Sequence, residues 1–414
     1  MKNSDLNTLI TKNECIYKYL TCHEAAENGD LECLKYLHEN GYPWYSNTCK
    51  SAAASGNLEC LKYAHENGCH WDEYTSVFAA FYGHLECLKY AYENGCPWNE
   101  NLCAWTAMRG NINCLKYLHK NGYPWPERTC YLDGDLYFCP FNNVMLVRLL
   151  KCLKYAHKNG CPWSTETCKW FATWGAINCL KYAHENGCPW DEETCDRAAR
   201  NGHIECLKYA HENGCPLDKE MCSKAAENGH LECLKYAHEN ECPWSTETCE
   251  YAALNGHLEC LKYLHEKGCP WNENICICAA KRGHLECLKY LHENGCPWNE
   301  LTSFKTVKRG HLDCLKYLHE NGCPWNEQTC VCADLYDHLE CLKYAHENGC
   351  PYPEKLLSTI VKKILIPKWR ASVKSRPIVY YWMECSAKTS CGQNGRARIE
   401  DIKYFENDFN NLIL

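Results

Sequence analysis

The chain has 414 residues, of which 46% are hydrophobic and 23% charged, and its formal net charge is −8. These proportions belong to a folded globular chain and exclude a collagen-like, low-complexity or disordered polymer. No run approaches the roughly 18 uninterrupted apolar residues of a membrane span. The opening Met-Lys-Asn-Ser-Asp-Leu-Asn-Thr also lacks the layout of a secretory leader, so a cytoplasmic location with no membrane partner is expected.

Residues 1–17 carry none of the recurring words and are expected to cap the N-terminal end. From about residue 18 to 352 the string Cys-Leu-Lys-Tyr sets the organisation. It occurs twelve times, at Cys33, Cys60, Cys87 and Cys114 and then from Cys152 to Cys341. Every step is 27 residues except Cys114 to Cys152, which is 38, so one unit, within 126–151, is irregular and eleven residues longer. A short fixed period is the mark of a solenoid in which no unit is stable alone.

The unit from Pro243 to Cys269 shows the pattern. A first helix is expected after Ser245, whose side chain suits the N-cap, and should stop near Gly256, a residue suited to a left-handed end. A second should run from Leu258 to about Lys267 and stop at Gly268, with Pro270 just beyond. At 100° per residue, Leu258, Cys260, Leu261, Tyr263, Leu264 and His265 cover more than half of that helix. Glu259, Lys262 and Glu266 share a narrow polar stripe. So broad an apolar surface is expected of the inner helix in a stack. The fold class is therefore all-α, a helix-turn-helix repeat solenoid of about twelve repeats.

Cysteine is the outlying component, with 38 residues. Equivalent sites in stacked repeats lie about 10 Å apart, beyond the roughly 7 Å Cα limit for a disulfide. Small buried thiols are expected rather than a ladder of like-to-like bridges.

The words Ala252-Ala253-Leu254-Asn255-Gly256-His257-Leu258-Glu259 and Ala225-Ala226-Glu227-Asn228-Gly229-His230-Leu231-Glu232 closely resemble the helix-turn-helix of ankyrin repeats. The Leu-Lys-Tyr-Leu-His-Glu-x-Gly that follows is similar to that family's second helix. The resemblance covers about 18–352, but the ankyrin unit is 33 residues and this one is 27. The shortfall falls where that family carries its β-hairpin, so hairpins should be shortened or absent, and the Thr-Pro-Leu-His signature is missing. The short, Cys- and Trp-rich version looks like arrays abundant in large DNA viruses and the protists they infect, which would place it in host cytoplasm. Ankyrin arrays bind proteins and catalyse nothing, and the resemblance implies the same here.

Comparison of units within the chain separates packing from variation. The second helix barely changes, whereas four first-helix positions change freely: Val77, Phe78, Phe81 and Tyr82 in one unit, Ala104, Trp105, Met108 and Arg109 in another. The same positions hold Lys169, Trp170, Thr173 and Trp174, and then Asp196, Arg197, Arg200 and Asn201. Spacing of i, i+1, i+4 and i+5 puts them on one side of a helix. The candidate partner-binding residues are Phe78, Phe81, Tyr82, Trp105, Arg109, Trp170, Trp174, Arg197, Arg200 and Tyr251, since aromatic and Arg anchors dominate interfaces.

A rival expectation is a structural zinc site at Cys206-x4-His211-x3-Cys215 and its copies. Five residues apart on a helix, Cys206 and His211 project about 140° from each other, and the paired Cys-x2-Cys knuckle is absent. No metal ligand and no cofactor are therefore assigned. The recurring Trp44, Trp98, Trp125, Trp163, Trp190, Trp244, Trp271, Trp298 and Trp325 of Pro-Trp are expected to cover helix ends. Residues 1–352 hold 33 Lys and Arg against 46 Asp and Glu, a net of −13, which argues against a nucleic-acid partner.

The last segment, 353–414, holds 11 basic and 6 acidic residues and no repeat words. Its start reads as an amphipathic helix carrying Leu356, Leu357, Ile360, Val361, Ile364 and Leu365. It is expected to cap the array or to dock a partner such as a ubiquitin-ligase adaptor, although no F-box pattern is present. No phosphate-binding Gly-rich loop, Gly-x-Ser-x-Gly elbow or His-Glu-x-x-His occurs, and the Cys and His are replicated where a nucleophile would be singular. No enzymatic activity is expected.

Overall fold

The computed structural model describes residues 21–125, 129 and 143–353. The expected caps at 1–17 and beyond 353, and most of the irregular stretch at 126–151, lie outside these residues. Among the described residues the regular structure is helical and no residue is in a strand, so no hairpin is seen between repeats.

Close contacts divide the chain into two units. One comprises the described residues up to Ala225 together with Glu232–Pro243, and the other Ala226–Leu231 together with the residues from Trp244 onward. The first holds α1 (Cys22–Glu27), α2 (Leu31–Glu39), α3 (Thr48–Ser55), α4 (Leu58–Glu66), α5 (Glu73–Tyr82), α6 (Leu85–Glu93), α7 (Leu102–Met108) and α8 (Ile112–Lys120). It continues with α9 (Asn143–Lys158), α10 (Thr165–Thr173), α11 (Ile177–Glu185), α12 (Glu192–Arg200) and α13 (Ile204–Glu212). Helices α14 (Met221–Glu227) and α15 (Leu231–Glu239) fall at the division. The second unit holds α16 (Thr246–Leu254), α17 (Leu258–Glu266), α18 (Glu273–Arg282), α19 (Leu285–Glu293), α20 (Glu300–Val307), α21 (Leu312–Glu320), α22 (Glu327–Leu335) and α23 (Leu339–Glu347).

The local rules that start and stop these helices are written into every repeat. Ser245 forms a capping box with Thr248 at the start of α16, and Asp72, Asp191, Asn272, Asn299 and Asn326 accept from first-turn amides in their own repeats. These caps satisfy backbone donors that have no partner inside the helix. At the other end of α17, Gly268 takes a φ of +79° and its amide donates to His265, while the Cys269 amide donates to Leu264. This wraps the last turn onto its own carbonyls before Pro270 redirects the chain.

The core is built from Cys, Leu and Ala. In α17, Cys260, Leu261 and Leu264 are buried while Glu259 and Glu266 are exposed, matching the expected stripe, and Lys262 pairs with Glu259 at 2.8 Å. The expected inner position of the second helix needs correction. The closest packing runs between successive first helices, such as α3 with α5 and α16 with α18, and second helices meet less intimately. The cause is side-chain size: first helices face each other through Cys49, Ala52, Ala53, Ala79 and Ala80, all fully buried, and small side chains bring backbones close.

Of the described cysteines, 32 are free thiols and all but Cys278 of these are buried, as expected; Cys33 is in a disulfide. The thiols divide by position. In the Cys-Leu-Lys-Tyr string they sit among leucines, and burial pushes the thiols of Cys60 and Cys287 up to about 11. On the first helix several sit against the loop residue twenty residues later: Cys49 Sγ donates to Cys69 O at 3.8 Å and Cys276 Sγ to Cys296 O at 3.9 Å, while Cys22 Sγ donates to Tyr42 O at 3.8 Å. Where serine replaces the helix cysteine, Ser303 Oγ lies 3.3 Å from Cys323 Sγ.

Candidate functional site

The invariant polar residues are largely consumed in holding repeats together. In the second-helix words, His65 stacks on Trp71 with ring centroids 3.6 Å apart, and its Nδ1 lies 3.1 Å from the Tyr90 hydroxyl one repeat on. His184, Trp190 and Tyr209 repeat that triad, as do His292, Trp298 and Tyr317. The indole N–H of Trp44 donates to Asn67 O at 3.0 Å and that of Trp163 to Asn186 O at 3.1 Å. The Pro-Trp tryptophans thus clamp successive repeats, a more specific role than covering helix ends.

A second set of histidines works from the start of the second helix. His84 Nε2 donates to Ala54 O at 3.0 Å, His203 to Thr173 O at 3.0 Å and His284 to Leu254 O at 3.1 Å, each thirty residues upstream. Burial, partly offset by that carbonyl, holds the pKa of His203 and His284 below the ordinary value, and His311 behaves likewise. Asparagine does the same work at Asn57, whose Nδ2 reaches Ala26 O at 3.0 Å, and at Asn111, which reaches Ala80 O at 2.9 Å.

The zinc candidates are engaged in the same way. His211 Nδ1 lies 2.9 Å from the Tyr236 hydroxyl, Cys215 Sγ donates to Asp191 O at 3.0 Å, and Cys206 is buried in α13. Among the described residues no three His, Cys, Asp or Glu side chains are grouped to hold a metal ion.

What remains unassigned to packing is the variable side of the first helices. Its quartets do not present all four members, because the first of each, Val77, Ala104, Lys169 and Asp196, is buried. The other positions reach the surface. Phe78, Phe81, Trp105, Arg109 and Trp170 are half-buried, and Tyr82, Trp174, Arg197, Arg200 and Tyr251 are exposed.

The first unit brings several of these together. Phe78 and Tyr82 stack with centroids 6.0 Å apart, Phe81 meets Tyr82 edge-on at 5.1 Å, and the Arg109 guanidinium lies 4.6 Å over the Phe81 ring from the following repeat. Lys50 Nζ, which sequence comparison did not single out, stands 5.7 Å over Phe78. Further along the unit, Trp170 on α10 and Trp174 just past its end lie 6.3 Å apart.

Beside these tryptophans lies an ion-pair network that spacing alone did not reveal. Lys169 Nζ is 3.0 Å from both Glu166 and Asp191 and 3.3 Å from Glu193, and Glu193 also meets Arg197 at 3.8 Å. Asp196 pairs with Arg200 at 3.7 Å and with Lys224 at 2.9 Å, and Lys224 pairs with Asp218 at 2.5 Å. Burial pulls the Lys169 and Lys224 pKa values down, but the surrounding carboxylates more than reverse this and raise both. Arg197 and Arg200 are therefore already paired within their own helix, while Tyr251 sits apart in the second unit.

Comparison with known proteins adds three findings. A family model described as ankyrin repeats matches three copies, at residues 22–101, 195–275 and 249–329. Among solved structures, the chain is similar to the crystal structure of the human ASB11 ankyrin repeat domain at 17% identity. That match covers 38% of this chain and 84% of that one, with a TM-score of 0.35. No curated protein matches.

Proposed function

The chain belongs to the ankyrin-repeat family, whose members are generally protein–protein interaction modules of a typically non-catalytic fold, and on that premise we propose that it is a non-catalytic scaffold that seats protein partners on the variable side of its first helices. One observation carries this proposal. Three of the four side chains that vary from repeat to repeat reach the surface there, whereas the His, Trp, Tyr, Cys and Leu of the second helices and linkers are spent on contacts between repeats. A surface needed only for solubility would carry Lys and Glu, not Phe78, Phe81, Tyr82, Trp105, Trp170, Trp174 and Tyr251. Half-buried aromatics beside Arg109 have the composition of interface anchors, which lose water on one remaining face when a partner arrives.

The test is affinity capture from cytoplasmic extract under reducing conditions. It compares the intact chain, a variant with Phe81, Trp105, Trp170 and Trp174 changed to Ala, and a control with Glu259 and Glu286 changed to Gln on second helices. A partner held by the first and third and lost by the second, with unchanged helicity, is the expected result. Equal capture by all three would remove the first-helix face as the binding surface.

A further inference from the structure

The second unit carries a charge pattern that its composition conceals. Between residues 244 and 353 the chain has 10 basic and 15 acidic residues, so the segment is net negative. Its acidic side chains lie mainly on second helices and at helix starts, where Lys262 pairs with Glu259, Lys289 with Glu286 and Lys343 with Glu340. The variable side of α18 and α20 shows the opposite sign. It carries Lys281 and Arg282 in one repeat and, on and just past the end of α20, Lys305, Lys308 and Arg309 in the next, at the positions filled by Phe78, Phe81 and Tyr82 in the first unit.

Among the described residues none of these five cations has a carboxylate at ion-pair distance, which sets them apart from Lys169, Arg197, Arg200 and Lys224, all paired. Two are held against aromatic rings: Lys308 Nζ is 5.2 Å from the Tyr336 centroid and Lys305 Nζ 5.8 Å from that of Phe304. Their positive field reaches the neighbouring groups, since Arg282 adds to burial in lowering the pKa of His284, and Arg309 does so for His311. On either side stand apolar groups exposed on the same variable positions, Tyr251 on α16 and Leu335 and Tyr336 at the end of α22, with Leu335 73% exposed. Of the carboxylates near this stretch, Glu250 accepts from Asn272 at 3.2 Å, Asp334 is half-buried on α22, and Asp337 is exposed next to Tyr336.

We propose that this stretch of the second unit, from Tyr251 to Tyr336, docks an acidic protein segment whose carboxylates meet Lys281, Arg282, Lys305, Lys308 and Arg309 and whose apolar side chains pack on Tyr251, Leu335 and Tyr336. This rests on the first-helix face being the partner surface and specifies its partner's chemistry. Unpaired cations gain charge-assisted hydrogen bonds from incoming carboxylates at little cost in broken pairs. The exposed apolar groups supply anchor area that charge alone does not. A long polyanion such as nucleic acid, or an anionic membrane, would have to approach the net-negative remainder of the unit, whereas a short acidic segment touches only the cationic stretch.

The experiment uses the full chain and a labelled short synthetic peptide of Glu and Asp interspersed with Trp and Leu. Comparison probes are the same peptide with Gln and Asn for the acids, a single-stranded oligothymidylate, and phosphatidylserine vesicles. Binding of the acidic peptide that weakens as salt is raised, and that falls about tenfold or more in the variant K281Q/R282Q/K305Q/K308Q/R309Q, is expected. That variant changes two exposed side chains, Arg282 and Arg309, and three half-buried ones, Lys281, Lys305 and Lys308, and its helicity and melting temperature verify its fold. The proposal is overturned by absent binding, by equal binding of the variant or of the Gln/Asn peptide, or by tighter binding of the oligonucleotide or vesicles than of the peptide. Partner capture separates the two levels. If the aromatic variant loses the partner and the five-fold variant does not, the first-helix face stands and its acidic ligand does not. If neither loses it, both fail.

Discussion

At the scale of single residues, the same amino acid does different work according to its place in the repeat, and substitutions already present in the chain predict which changes are tolerated. Cys276 faces its loop cysteine, a place where Ser76 and Ser303 occur naturally with hydrogen bonds of their own. Cys276→Ser should therefore change stability by less than about 0.5 kcal/mol. Cys287 lies in the leucine-lined string, so Cys287→Ser should cost about 1–3 kcal/mol through desolvation of its hydroxyl. Denaturant unfolding of the two variants checks the contrast. The histidines predict a pH effect of definite sign. His203, His284 and His311 have lowered pKa values when folded, so the unfolded chain binds the proton more readily. Their contribution is complete above the ordinary value of about 6.5 and is lost as pH falls from there through the lower folded values. Melting temperature should decline between neutral pH and pH about 5, and replacing all three by Asn, as at Asn57 and Asn111, should flatten that decline while leaving the neutral-pH value nearly unchanged. The carbonyl partners of these histidines, thirty residues away, could not be read, because a hydrogen bond between repeats depends on how helices stack rather than on spacing along one helix.

At the scale of the helix, capping and termination followed from the sequence: Ser245, Gly256 and Gly268 act where their chemistry suggests. Two glycines separate local from tertiary demands. Gly295 takes a φ of +78° with open space around a would-be Cβ, so Gly295→Ala should cost about 1 kcal/mol from backbone strain alone. Gly283 has the same φ of +79°, but a Cβ there would lie 2.5 Å from the His311 ring, which itself donates to the preceding repeat. Gly283→Ala should cost about 2–3 kcal/mol or more, since strain and displacement of the ring add, and paired thermal melts of the two variants measure the difference. The inner-helix expectation failed for a related reason. A broad apolar arc on α17 marks a helix that is well covered, but closeness of approach is set by side-chain size, and the Cys and Ala of the first helices allow the closer approach.

At the scale of the whole molecule, the 27-residue period and its recurring words made the all-helical repeat fold and its family legible before any coordinates, because a stack repeats one packing solution many times. The candidate face was only half legible. Variation between repeats marked it out as a candidate, but could not show that Lys169 and Asp196 are buried in an ion-pair network or that, among the described residues, Lys281, Arg282, Lys305, Lys308 and Arg309 have no carboxylate at ion-pair distance. Both depend on which side chains of adjacent repeats come within reach. The central claim is that partners sit on the variable side of the first helices, and site-specific photocrosslinking tests it most directly. A photoreactive residue would replace Tyr82, Trp105 or Tyr251 in the full chain, with Glu259 and Glu286 on second helices as the comparison positions. Binding through the first-helix face predicts partner adducts from the first three positions and none from the other two. Adducts confined to Glu259 and Glu286 would contradict it.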